Sequence, residues 1–164
     1  MWVPGPPPAR PYDRPVALFV VEQDAPLTVA EAWRRVTDWP RHGDLVPFTR
    51  VTVTTPAPTG EGTVFVARTG AGPLGFDDPM EVVVWRPPNG AEAGFCRLVK
   101  RGSFVTGWAE IEVGPTRGGA HVVWREDAAV RPLPRALDPL LRAGAGVMFG
   151  QVLKRLLRAP SDRS

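Results

Sequence analysis

The spacing of apolar and polar positions changes period three times along this chain. Residues 16–23 (VALFVVEQ) are β-branched and aromatic, as a buried strand requires. Val29, Ala32, Trp33 and Val36 then recur at helical spacing, behind Thr28 and Glu31 in the reciprocal arrangement that caps a helix start. This helix is expected to end near Asp38, where Pro40 and Gly43 break it, with a short second helical turn before Phe48. Six strand-like segments follow, at 48–55, 62–69, 80–85, 93–100, 107–113 and 120–127. Turn chemistry separates them, most clearly at Pro87-Pro88-Asn89-Gly90 and at residues 116–119. Sequential short strands with hairpin-like connections predict an antiparallel meander.

Helical period returns at Asp138-Pro139, which reads as a capping aspartate followed by a proline in the first turn. From there to residue 159 is about 21 residues, or ~31 Å of helix. Leu137, Leu141, Ala145, Met148, Val152 and Leu156 fall along one side, and Phe149 and Leu153 widen the stripe. The prediction is an α+β domain over residues 16–160. A curved antiparallel sheet of about seven strands wraps the long C-terminal helix, with two short helices after the first strand. Residues 1–15 read as a Pro-rich flexible tail whose P-x-x-P match is a solvated segment.

Strand alternation sorts side chains into faces, with the charge-bearing face outermost. It turns Phe65, Ala67, Met80, Val82, Val84, Cys96, Leu98, Ala109, Ile111 and Val113 inward, along with Val122 and Trp124. The same parity carries Glu126 inward. A desolvated carboxylate beside an apolar pocket is a candidate general acid or base. Alternatively, it is a strand-end anchor salt-bridged to Arg131 or Arg135.

Composition narrows the function classes. An apolar fraction of 43% is globular, and no apolar run approaches the ~18 residues needed to span a bilayer. The start MWVPGPPPARP lacks the basic and apolar regions of a secretory signal, and the single cysteine, Cys96, has no disulfide partner. A cytoplasmic location is expected. From Arg131 onward seven basic residues face two acidic ones, within a net charge of +3 for the chain. No aromatic residues interleave these charges, so they are expected to complement the helix dipole rather than bind nucleic acid.

Other motifs dissolve on inspection. Gly70-Ala71-Gly72-Pro73-Leu74-Gly75 matches a dinucleotide fingerprint, but Gly75 and Pro79 leave no helix to meet a pyrophosphate. Gly146 and Gly150 lie in a slim segment of the long helix, which implies either close backbone packing or room for a ligand beneath. His42 falls in the polar loop WPRHGD, and His121 starts a strand. No paired-histidine or Cys/His spacing suggests a metal, and no G-x-S-x-G elbow is present. No cofactor is expected.

The element order and several stretches resemble the START-like SRPBCC superfamily, in its polyketide cyclase/dehydrase and lipid-transport branch. The stretches are AEAWRRVTDWPRHGDLVPF (30–48), the 62–75 hairpin, FDDPMEVVVWRPP (76–88), GWAEIEVGP (107–115) and VVWREDAAV (122–130). The resemblance spans roughly residues 15–160 and implies a helix-grip fold with a deep cavity between sheet and helix. The implied occupant is a hydrophobic small molecule such as a lipid, polyketide, quinone or steroid-like compound. The expected lining is Phe65, Ala67, Met80, Val82, Val84, Cys96, Leu98, Ile111, Trp124, Glu126, Leu141, Ala145, Met148 and Phe149. Binding is the leading expectation for a monomer or homodimer, and a polyketide aromatase/cyclase with Glu126 as its catalytic candidate is the alternative. A protein- or RNA-contacting role for the basic C-terminal helix comes third.

Overall fold

Seven strands hydrogen-bond in the order β1-β7-β6-β5-β4-β3-β2, all antiparallel, in the computed structural model, which describes residues 18–131 and 135–158. The strands are β1 (Leu18–Ala25), β2 (Thr49–Val53), β3 (Val64–Thr69), β4 (Phe76–Arg86), β5 (Gly94–Arg101), β6 (Val105–Thr116) and β7 (Gly119–Val130). Helices α1 (Val29–Val36) and α2 (Trp39–Leu45) connect β1 to β2, and α3 (Asp138–Leu157) closes the chain. The α+β helix-grip order expected from the pattern is the one observed. The tail expected over 1–15, and residues 16–17 and 159–160 of the expected domain, lie outside the described residues.

Local chemistry accounts for most boundaries. Thr28 caps α1, its hydroxyl accepting from the Glu31 N–H at 3.1 Å. Ala32, Trp33 and Val36 are the buried face of that helix. The Gly70–Gly75 segment forms a short 3-10 turn between strands, so it offers no phosphate site. Asp138 is not the cap of α3: a 3-10 turn at Arg135–Leu137 runs straight into the helix, so Leu137 takes that position.

The parity expectation fails at one strand residue. β4 and β5 shift register between Val82 and Val84, so Val84 pairs with Arg97 and Trp85 with Cys96. Arg97 lies over the Trp108 ring and pairs with Glu110 on the outer face, which places Val84 outside. Trp85 turns inward instead and meets Trp33 at 4.9 Å. A bulge inserts one residue and reverses every side chain after it.

The apolar stripe of α3 is also only half used. Val152, Leu153, Leu156 and Leu157 are buried against the rest of the molecule. Towards the N-terminus the expected line through Leu137 and Met148 rotates outward, and Met148 is 37% exposed. Leu140 and Val147 are 71% and 69% exposed. Ala145 and Phe149 carry the contact there, with Phe149 stacked on Phe19 at 5.1 Å.

The glycines of α3 fit this half-free state. A Cβ at Gly144 or Gly146 would meet nothing within 4 Å, and at Gly150 it would make an ordinary 3.7 Å contact with Val21. Close backbone packing is therefore not what selects the first two. Gly144→Ala and Gly146→Ala are each expected to raise stability by about 0.5–1 kcal/mol, read as a higher denaturation midpoint.

Candidate functional site

The inner face of the sheet is apolar through its centre. Phe65, Val82, Cys96, Leu98, Ile111 and Trp124 are all buried there, while Ala67, Met80, Leu141, Ala145 and Phe149 are partly exposed. Trp39 stacks on Phe65 at 4.8 Å, and Phe149 meets Trp124 at 5.1 Å. Burial pushes the Cys96 thiol up to about 12, so it remains a protonated core side chain and not a nucleophile.

Charge enters this face at one end. Lys100 Nζ lies 2.8 Å from Asp78 Oδ2 and 3.1 Å from Glu126 Oε1, with its side chain 6% exposed. Trp124 Nε1 donates to Glu126 Oε2 at 3.2 Å. Glu126 thus faces inward, as parity requires, and its described ion-pair partner is Lys100 rather than Arg131. Arg131 is exposed, and the side chain of Arg135 lies outside what the structure describes. The reason is the strand between them: β6 offers only Gly107 opposite Lys100 and Ala109 opposite Glu126, so the ammonium can reach across it. Gly107 has φ 138, and a Cβ there would sit 1.9 Å from the Asp127 carbonyl oxygen.

Lys100 and Asp78 escaped the sequence reading, although a signal existed for each. Continuing the parity of Cys96 and Leu98 by two residues turns Lys100 inward. Asp78 shares the parity of Met80, but Pro79 reads as a strand break. β4 tolerates that proline because its pairing with β5 begins only at Met80, so no β5-side ladder bond is lost. Burial pushes Lys100 towards losing its proton, and the Glu126 and Asp78 carboxylates outweigh that and raise its pKa above the lysine value.

His42 is the other residue that pattern alone misplaced. Rather than lying in a polar loop, it sits within α2, with its ring 5.6 Å from Trp39 and 5.4 Å from Trp124. Its Nε2 is 2.9 Å from the Val36 carbonyl oxygen, a contact that requires a proton on that nitrogen. Burial pushes its pKa below the usual histidine range, against the opposing pull of the Val36 carbonyl and Asp38.

An open cavity of about 930 Å³ lies beside α2, walled by Gly43 to Val51, Arg68, Gly70 and Arg155 of α3. None of the lining expected from the sequence borders it. Gly43 seats α2 directly on β2, its place for a Cβ lying 2.7 Å from the Val51 nitrogen. Phe48 stands on the rim with φ 55, 82% exposed. No helix among the described residues is long and apolar enough to cross a membrane.

No family model matches this sequence, and no curated protein does. Solved structures do. A hypothetical protein from Helicobacter pylori, jhp0584, superposes with a TM-score of 0.69 at 12% identity, covering 96% of this chain and 95% of that one. A START superfamily protein from Mycobacterium smegmatis gives 0.63 at 11% identity, covering 85% and 94%. The di-domain aromatase/cyclase StfQ of the steffimycin biosynthetic pathway gives 0.64 at 13% identity, covering 87% of this chain and 50% of that one. The chain has the START-like helix-grip fold.

Within this START-like sheet, the Asp78–Lys100–Glu126 cluster can hold charge in a dry setting, and the ammonium is its keystone. Lys100→Met would leave two carboxylates buried without their cation. The expected cost is about 3–5 kcal/mol in chemical denaturation, largely recovered when both acids are also replaced by apolar residues. His42 gives a second expectation with a definite sign. Its depressed folded pKa stabilises the START-like fold above the unfolded value of about 6.5, and this is lost as pH falls below it. Between pH 7 and pH 5 the wild type should therefore lose more stability than His42→Gln.

Proposed function

We propose that this chain binds an apolar small molecule, of lipid or polyketide character, in the open cavity beside α2. The observation that carries this reading is the open cavity of about 930 Å³ bounded by α2, β2 and α3. Its size lies at the upper end of the range for small-molecule sites, roughly 300–1,000 Å³. A carrier or sequestering role needs no more than this.

A second reading has its own support. A buried ammonium between two carboxylates is an arrangement that can polarise a carbonyl or move a proton, and such clusters are common at catalytic sites. Two neighbours carry enzyme names: StfQ is an aromatase/cyclase, and another is norcoclaurine synthase from Thalictrum flavum, 16% identical with a TM-score of 0.56. Glu126 would then take part in turnover of a polyketide-like substrate.

Native mass spectrometry of freshly purified protein should reveal a co-purified apolar ligand, or the protein should bind an apolar fluorescent probe. Leu45→Trp, which fills the cavity wall, should weaken that probe at least tenfold while leaving the far-ultraviolet spectrum unchanged. Failure to bind any apolar probe would sink the binding reading. Glu126→Gln separates the two roles: probe binding should persist in both, and loss of turnover of a polyketide substrate would establish catalysis.

A further inference from the structure

One acceptor in the charged cluster has no donor among the described residues. The ammonium of Lys100 has three N–H groups, and three acceptors surround it: Asp78 Oδ2 at 2.8 Å, Glu126 Oε1 at 3.1 Å and Met80 Sδ at 3.7 Å. Trp124 Nε1 serves the second oxygen of Glu126. That leaves Asp78 Oδ1, which is buried and has no hydrogen-bond partner among the described residues. A buried carboxylate oxygen without a donor is strongly unfavourable, so on this largely apolar face it calls for a partner.

Its position relates it to the cavity. Val51, Ala67 and Asp78 stand in register on three adjacent strands, β2, β3 and β4, and so form one cross-strand row. Val51 borders the cavity. Two strand spacings place Asp78 about 10 Å from Val51 along this row. In this row the residue between them is Ala67, which is partly exposed. Met80, the flexible neighbour that contacts Lys100, is also partly exposed, and a thioether side chain can swing aside at little cost.

We propose that Asp78 Oδ1 is the polar anchor of the bound molecule, and that the ligand is an apolar body carrying a hydrogen-bond donor. The donor is a hydroxyl, phenolic or alicyclic, or an ammonium. Lys100 acts as a positioning residue, occupying Oδ2 so that Oδ1 faces the incoming group. This rests on the binding reading above and specifies the ligand class for it. A site built to accept a hydrogen bond rejects an analogue that lacks the donor, because its buried acceptor is then left unpaired.

The test uses three biphenyls of similar length with the intact protein: 4-hydroxybiphenyl, its methyl ether, and 4-(aminomethyl)biphenyl, followed by titration calorimetry. The hydroxyl or the ammonium compound should bind at least tenfold more tightly than the ether, and which of the two leads identifies the donor. In Asp78→Asn, checked for an unchanged far-ultraviolet spectrum, that preference should fall to threefold or less. Equal binding of all three by the wild type would overturn the anchor while leaving apolar binding intact, since Oδ1 would then be satisfied by water. A preference that survives in folded Asp78→Asn would also overturn it. Binding of none of them would bring down the cavity reading and the anchor together. The wild-type comparison needs no variant, so a poorly folding Asp78→Asn cannot rescue the idea.

Discussion

Lys100 is buried on the inside of a sheet whose other inward residues are almost all apolar, and it stays charged there because two carboxylates from two other strands meet it. Much of the surrounding geometry follows from that contact. β4 must continue through Pro79 to deliver Asp78, and β7 must keep strict alternation from Val122 through Trp124 to deliver Glu126. β6, which runs between Lys100 and Glu126, must be stripped to glycine and alanine at that level. Each demand is met by residues well separated in sequence, so the cluster also fixes strand register: a one-residue slip in any strand would turn its charge outward.

The two ends of α3 live in different surroundings. Its C-terminal half is held by Val152, Leu153, Leu156 and Leu157 against the body of the domain. Its N-terminal half touches mainly through Ala145 and Phe149, whose ring reaches Phe19 and Trp124. Few buried apolar contacts and helix-weakening glycines mark the low-stability end of a structure. Among the described residues, the one α3 residue that borders the cavity, Arg155, lies in the anchored half.

Much of the fold was legible because period and punctuation agree. Thr28 with Glu31 announced α1, and alternation placed Phe65, Val82, Cys96, Leu98, Ile111, Trp124 and Glu126 on the inner face. The candidate site was less so. Alternation could not foresee the β4 bulge, because the apolar run through Val82, Val83, Val84 and Trp85 offers no charge to mark its faces. Pro79 hid Asp78, since local chemistry there says break while the tertiary pairing says continue. His42 was misread because a polar neighbourhood in sequence became the inner side of a short helix against Trp124. The cavity itself is formed by the approach of α2, β2 and α3, which no single segment encodes.

The bulge in β4 divides that strand into two mechanically separate levers. Upstream of it, Asp78, Met80 and Val82 serve the charged cluster and its surroundings; downstream, Trp85 serves the packing of α1 through Trp33. Because the phase is reset between them, substitutions on one stretch are insulated from the other's choice of face. A lineage of such chains can therefore rework its interior chemistry on one side of the kink while the α1 contact on the other stays put. Deleting the unpaired Val83 would return the strand to plain alternation with Trp85 still opposite Cys96, removing the kink without exposing the ring.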